Sequence, residues 1–296
     1  MKTILITGAS GFIGSNLIKT IYMTYKIIAV VREDSDSSGI ESFCTLHRYK
    51  SAINLFECLR GEELIGVIHL ATMYIKTHKI DDIRGMMDSN ITFGSEICEI
   101  LALLKFRGWF INVGTFWQFY KNMPNNPLNL YAASKSAFEC ITKFYASTTN
   151  ITFSTIYLND TYGPNDKREK IFNLWLKFAN SGESLEMSKG ELLMDIIYID
   201  DVVRAFVILI DILDSKYKNL AKDKIFALHS RERKTLRELA DIFQEVTGKR
   251  LHIKWGAKPY MQRENFIPFE GGEDLPSWEE HFTLKDGIAK IITKEG

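Results

Sequence analysis

Cysteine is scarce. Cys44, Cys58, Cys98 and Cys140 stand far apart with no C-x-x-C spacing. That excludes a disulfide framework and a zinc site built on paired cysteines; reduced thiols in a cytoplasmic protein are expected. Net charge is missing too, since 37 Lys and Arg balance 37 Asp and Glu. Nothing in such a balance attracts nucleic acid or an anionic membrane, and neither is expected as a partner. No apolar run reaches the ~20 residues of a membrane-spanning helix. There is no internal repeat and no low-complexity segment. Met1 and Lys2 lead straight into an apolar run, so no leader is expected. What remains is an ordinary globular composition, 46% hydrophobic and 25% charged, in a chain long enough for one domain or two.

The most informative stretch is the first. Lys2 to Thr7 reads as a buried strand. It breaks at Gly8-Ala9-Ser10-Gly11-Phe12-Ile13-Gly14, and Ile13, Leu17, Ile18 and Ile21 then recur at helical spacing. A strand, a glycine turn and a helix at the start of the chain predict a dinucleotide cradle, the alternative being a purely structural strand-to-helix turn. Gly8 permits the tight turn, Gly11 lets a phosphate approach, and Gly14 lets the helix pack close. The helix N-terminus offers free N–H groups to a pyrophosphate. The spacing is G-x-x-G-x-x-G rather than G-x-G-x-x-G.

Further strands are expected at Lys26–Val31, near Leu46, at Gly66–Thr72, Trp109–Val113 and Ile151–Leu158. Between them helices are expected over 51–59, 81–105 and 131–147. This alternation predicts an α/β fold with a doubly wound parallel sheet. The second strand ends at Arg32-Glu33-Asp34, where a ribose-reading residue belongs. Arg32 would pair with the 2′-phosphate of NADP, whereas Glu33 or Asp34 would hold the ribose of NAD; NADP(H) is the reading, with NAD(H) as the alternative. The small Ala71-Thr72 pair suits a place where cofactor passes the backbone, and His69 reads as a packed core histidine. Asn122 to Asn129 is expected to be a flexible rim.

Beyond Pro164 the rhythm loosens. Helices are expected over 170–180, 200–213 and 236–247, the last stopped by Gly248, and strands over 194–199 and 224–228. The expected division is a Rossmann domain over 1–158, joined by roughly 195–228, and a smaller α/β substrate domain from 159–194 and 229–296. The second part should sit over the C-terminal ends of the strands.

Tyr131 and Lys135 stand one helical turn apart, hence on one face. An ammonium beside a phenol favours the phenolate, which would lower the tyrosine's value and suit it to move a proton near neutral pH. Thr115, at the end of the preceding strand, would donate a hydrogen bond to the same substrate oxygen.

These features together resemble the extended short-chain dehydrogenase/reductases, the nucleotide-sugar epimerase/dehydratase family. The resemblance runs through Thr7–Gly14, His69-Leu70-Ala71-Thr72, Asn90, Thr115, Tyr131/Lys135, Leu158-Asn159, Tyr162-Gly163-Pro164, Asp195–Asp201, Gln262-Arg263-Glu264 and Leu275–Trp278. Within the family the chain looks most like the 4-ketoreductases that make CDP-linked dideoxyhexoses, the abequose and paratose synthases. The resemblance implies a catalytic triad of Thr115, Tyr131 and Lys135. It implies cofactor contacts at Gly8, Ser10, Gly11, Phe12, Ile13, Arg32, Leu70, Ala71, Thr72, Leu158 and the Tyr131/Lys135 pair. Substrate contacts would come from Thr72, Thr115, Phe116, Trp117, Asn159, Lys170 and Arg263, with Asn159, Lys170 and Arg263 anchoring a nucleotide diphosphate. No metal site is implied. A homodimer through helices 81–105 and 131–147 is.

There are departures. Met194 stands where the family has arginine, Tyr157 replaces the arginine before Leu158, and the Asp-Leu after the third strand is absent. Phe116 and Trp117 replace the Asp-Glu pair of the family's 4,6-dehydratases, and Trp117 replaces the cysteine of the enzymes that make GDP-fucose. Neither side chain moves a proton. The expectation is therefore NADPH-dependent reduction of the C4 keto group of a nucleotide-linked 4-keto-6-deoxyhexose in deoxysugar synthesis, with both aromatics narrowing the pocket around C5 and C6. A 4-epimerase that keeps its NAD, and a non-catalytic dinucleotide sensor, are the alternatives.

Overall fold

Thr3–Thr7 (β1) is buried along its whole length, as a strand between two helical layers requires. The computed structural model describes residues 1–293; the final three residues of the expected 229–296 segment lie outside them. After β1 come helix Phe12–Ile21 (α1), Lys26–Arg32 (β2), Thr45–Tyr49 (β3), Ala52–Leu59 (α2) and Leu64–His69 (β4). Then follow Asp82–Met87 (α3), Phe93–Leu103 (α4), Trp109–Thr115 (β5), Leu130–Thr148 (α5) and Thr152–Leu158 (β6). The remainder holds Asp160–Tyr162 (β7), Ile171–Ser181 (α6), Ser184–Met187 (β8), Leu193–Met194 (β9), Ile196–Tyr198 (β10), Ile199–Leu213 (α7) and Lys224–Ala227 (β11). Lys234–Thr235 (β12), Leu236–Thr247 (α8), His252–Trp255 (β13) and Leu284–Thr293 (α9) complete it.

Seven strands form one sheet in the order β11-β6-β5-β4-β1-β2-β3, all paired in parallel. This is the Rossmann-type sheet the alternation predicts. The chain runs from β1 outward to β3, then returns to β4 on the other side of β1. The crevice at that switch point, outside the C-terminal strand ends, is where ligands bind in such sheets. One face of the sheet packs on α1, α7 and the helices of the C-terminal part through Leu17, Phe206, Phe243 and Ile288. The other packs on α2, α4 and α5 through Leu55, Ile97, Leu101 and Phe138. Each such fully buried large apolar side chain contributes about 1.5–3 kcal/mol.

Three expectations change. The helix over 81–105 is interrupted by a wide π-helical turn at Asp88–Thr92. The strand expected over 194–199 splits into β9 and β10 at Asp195. Its fully buried carboxylate is taken by the Ser230 N–H at 3.0 Å and the Arg233 Nε at 3.0 Å. The rim at 122–129 is tied down rather than loose. Glu270 N–H donates to Asn122 at 2.7 Å, Arg263 to Asn126 at 2.7 Å, and Phe119 stacks on Phe269 at 4.0 Å.

Candidate active site

The turn after β1 has the shape its glycines predict. Gly8 takes φ +63, and a Cβ there would meet the Leu70–Ala71 backbone at 2.6 Å. No side chain caps the N-terminus of α1 and its first turn carries no acid. Its orphan amides, from Phe12 and Ile13 onward, are available to a pyrophosphate. Ser10 and Gly11 are exposed beside them. Arg32 closes β2 with a largely exposed side chain, 3.5 Å from Asp34. These residues fit a dinucleotide.

Across the switch point, β4 is fixed to β1 by side chains. Thr7 Oγ1 lies 2.9 Å from His69 Nδ1 and accepts the Ala71 N–H at 3.2 Å. His69 is fully buried among Phe93, Phe110 and Phe138. Burial, then the nearby Lys135 charge, pushes its value down to about 3, so it stays neutral. It is a core histidine.

The wide turn at Asp88–Thr92 aims the buried Asn90 back at this loop. Asn90 Oδ1 accepts from the Met73 N–H at 2.6 Å and Thr72 Oγ1 at 3.1 Å. Its Nδ2 donates to Met73 O at 3.1 Å and Ser134 Oγ at 2.9 Å. One side chain therefore joins the Ala71–Met73 segment to α5. Wide turns of this type frequently mark functional sites.

Helix α5 starts at Asn129, whose side chain caps it by accepting the Ala132 N–H at 3.0 Å. Tyr131 and Lys135 follow on its buried face, 9% and 5% exposed. The expected lowering of the tyrosine by the lysine is not realised. Burial dominates and pushes Tyr131 up to about 12, with Thr72's hydrogen bond and the Arg168 charge opposing and the Asp160 charge assisting. Burial also pushes Lys135 down to about 8. The pair is thus a phenol that holds its proton beside an ammonium that gives its own up readily. Thr115 ends β5, 8% exposed. It caps a single 3-10 turn, Phe116–Gln118, by accepting the Trp117 N–H at 3.3 Å.

That turn separates the two aromatics. Phe116 is 1% exposed and packs with Tyr157, Ala227 and Phe269, so it has no face for a substrate and the expected pocket contact is corrected. Trp117 turns the other way, its ring 5.6 Å from Tyr74 and 6.4 Å from Tyr131. Trp117, Tyr74, Lys170, Asp160 and Met194 line a cavity of about 190 Å³. Lys170 donates to Asp160 at 2.6 Å with its ammonium 4.8 Å from the Tyr74 ring centre. Leu158 is buried at the end of β6, and Asn159 follows it half-buried. Arg263 is not brought to the cavity. It lies on the rim, donating to Asn126 and to Pro127 O at 3.1 Å, over the Tyr120 ring at 4.3 Å.

Two residues that sequence reasoning missed stand out. Gln118 completes a capping box with Thr115, and the T-x-x-Q spacing was a readable signal. Arg168 holds its guanidinium 4.5 Å from the Phe12 ring, beside the glycine turn.

Residues 4–221 match the NAD dependent epimerase/dehydratase family. The chain belongs to that family. A relative within reach of sequence comparison is a CDP-abequose synthase of Yersinia pseudotuberculosis, 27% identical over 99% of this chain and 98% of its own. A CDP-abequose synthase of Salmonella typhimurium is 25% identical, covering 98% and 97%. Among solved structures, the UDP-glucose 4-epimerase of Thermotoga maritima with UDP-glucose superposes with a TM-score of 0.84 at 19% identity, covering 98% and 97%. The epimerase/dehydratase fold therefore extends over the whole described chain. Among the described residues no helix is long and apolar enough to cross a membrane.

Proposed function

We propose that the protein reduces the C4 keto group of a nucleotide-linked 4-keto-6-deoxyhexose, with NADPH as the reductant. The observation that carries this reading is Trp117. It occupies the cavity wall beside Tyr131, at the chain position where other reactions of the family need a carboxylate or a thiol. Indole is a donor only and cannot remove a proton from carbon. The full-length similarity to CDP-abequose synthases supports the same class of substrate.

The dinucleotide, when bound, supplies the hydride. The rest is the work of this chain. Tyr131 holds its proton at neutral pH and delivers it to the substrate's carbonyl oxygen. Thr115 donates a hydrogen bond to that oxygen and orients it. Lys135 restores the tyrosine's proton from an ammonium whose own hold is weakened by burial. Lys170 and Asn159 face the nucleotide diphosphate from the C-terminal part, made of 159–194 and 229–293, while 1–158 with 195–228 carries the cofactor. Arg32 selects the 2′-phosphate of NADPH. Trp117 offers an apolar wall that suits a 6-deoxy methyl better than a hydroxymethyl. A homodimer through the helices of residues 81–105 and 131–147, in the cytoplasm, belongs to the same reading.

The test is direct. The protein is mixed with NADPH and CDP- or dTDP-4-keto-6-deoxyglucose, and absorbance of the reduced nicotinamide is followed. Oxidation of NADPH with either substrate is expected. With CDP-glucose or dTDP-glucose and NAD, no product lighter by one water should form; such a product would refute the reading. Nicotinamide retained through purification would favour a 4-epimerase instead.

A further inference from the structure

Residues 163–170 cross from the C-terminal part over the mouth of the dinucleotide crevice, and three cations ride on them. Lys167 meets Asp36, beyond the end of β2, at 3.3 Å. Arg168 sits over Phe12, at the start of α1. Lys170 meets Asp160 and Tyr74 at the substrate cavity. The loop thus touches the crevice at three successive points: the ribose end, the glycine turn and the reaction centre.

Arg168 is the most heavily bonded of the three. Asp166, its side chain 2% exposed, takes Arg168 Nε at 2.7 Å and Nη2 at 2.7 Å in a forked pair. Nη2 also donates to Thr161 O at 2.9 Å, and Asn173 Nδ2 holds the Arg168 carbonyl at 2.8 Å. Its Nη1 has no partner among the described residues. A planar, always charged fork fixed on one edge and free on the other suits a phosphate oxygen. Gly163 lets the loop start close against α7, where a Cβ would meet the Ile199 side chain at 2.5 Å, with the Phe12 ring in ordinary contact distance.

We propose that Arg168, oriented by Asp166, binds the dinucleotide's pyrophosphate from the side opposite the α1 N-terminus. The phosphates are then held between helix amides below and a guanidinium above. The contact stands on Phe12, not on the substrate cavity, where Lys170 is the cation. It is therefore indifferent to the 2′-phosphate and to the sugar.

The test reads binding rather than turnover. Calorimetric titration with NADH, NADPH and ADP-ribose is compared for wild type and Arg168→Gln. All three ligands should weaken alike, by about tenfold, as expected for loss of one charge-assisted contact at a partly exposed site. CDP and UDP should change by less than about twofold on the same basis. An unchanged ADP-ribose affinity would overturn the proposal, as would a loss confined to CDP or UDP. A second measurement needs no variant. Phenylglyoxal labelling of Arg168 in wild type, read by peptide mass, should be blocked by ADP-ribose and not by CDP; labelling indifferent to ADP-ribose would overturn it equally. Because both read ADP-ribose, a protein that binds it but reduces no sugar would refute the proposed reaction and leave Arg168 in place.

Discussion

Gln118 Nε2 donates to the buried Glu139 carboxylate at 3.1 Å, while its Oε1 accepts the Thr115 N–H at 2.9 Å. Glu139 also takes the Tyr157 hydroxyl and pairs with Lys143 at 2.9 Å. The end of β5 is thereby pegged to α5, the helix that carries Tyr131 and Lys135. The carboxylate is thus met by a phenol, an amide and one surface ammonium. Gln118→Leu strips Glu139 and Thr115 of a partner in a buried place. It should cost about 1–3 kcal/mol of stability. Turnover should fall, because the Thr115 end of β5 is no longer tied through Glu139 to the helix that carries Tyr131. A melt and a rate indistinguishable from wild type would show that the peg is idle.

On the proposed mechanism, Tyr131→Phe removes the proton donor and little else. Turnover should fall roughly 10²–10⁴-fold, the usual worth of a positioned general acid. NADPH affinity, measured by calorimetric titration, should stay close to wild type. A Phe variant that turns over normally would end the assignment.

Lys135 makes the fold pH-dependent in a predictable sense. Its ordinary value of 10.5 falls to about 8 on burial. Below 8 folded and unfolded chains both hold the proton, and the buried ammonium costs stability in full, on the order of 3 kcal/mol. Between 8 and 10.5 the unfolded chain binds more protons, so this cost declines as pH rises. Lys135→Met should therefore melt higher than wild type at pH 7 without cofactor, though inactive. The gap should shrink from about pH 8 to pH 10, before Tyr131, with its value near 12, takes part. A pH-independent gap would refute the burial argument.

Arg32→Asp should exchange cofactor preference. The side chain is largely exposed, so the lost phosphate contact should weaken NADPH by about one decade and no more. NADH should gain through a carboxylate facing the ribose. Titration of both cofactors decides it; a wild type that already prefers NADH would contradict the reading of Arg32.

Much of this was legible in the sequence, for a physical reason. Buried parallel strands are continuous apolar runs, and Gly8 must be glycine because its φ is positive and the Leu70–Ala71 backbone is close. Tyr131 and Lys135 share a face because helical spacing leaves no choice. Phe116 and Trp117 were not separable, since only the 3-10 turn capped by Thr115 sends one into the core and the other into the cavity. The tyrosine's direction of shift was missed because burial is a property of the assembled fold, and here it outweighs the neighbouring charge. Arg168 was passed over because Asp166 two residues before it looks like surface charge until Asp166 is seen to be buried.

The seventh strand has an implication for how the protein is made. β11 comes from residues 224–227, yet it pairs along β6, which ends at Leu158. During synthesis the edge of β6 stays open until the intervening segment, with α6 and α7, has emerged. An exposed edge of Phe153, Thr155 and Tyr157 invites pairing with a neighbouring chain. A fragment cut at the end of β6 would carry the glycine turn and α1 yet lack both Arg168 and the strand that covers this border, and it should self-associate where the whole chain does not.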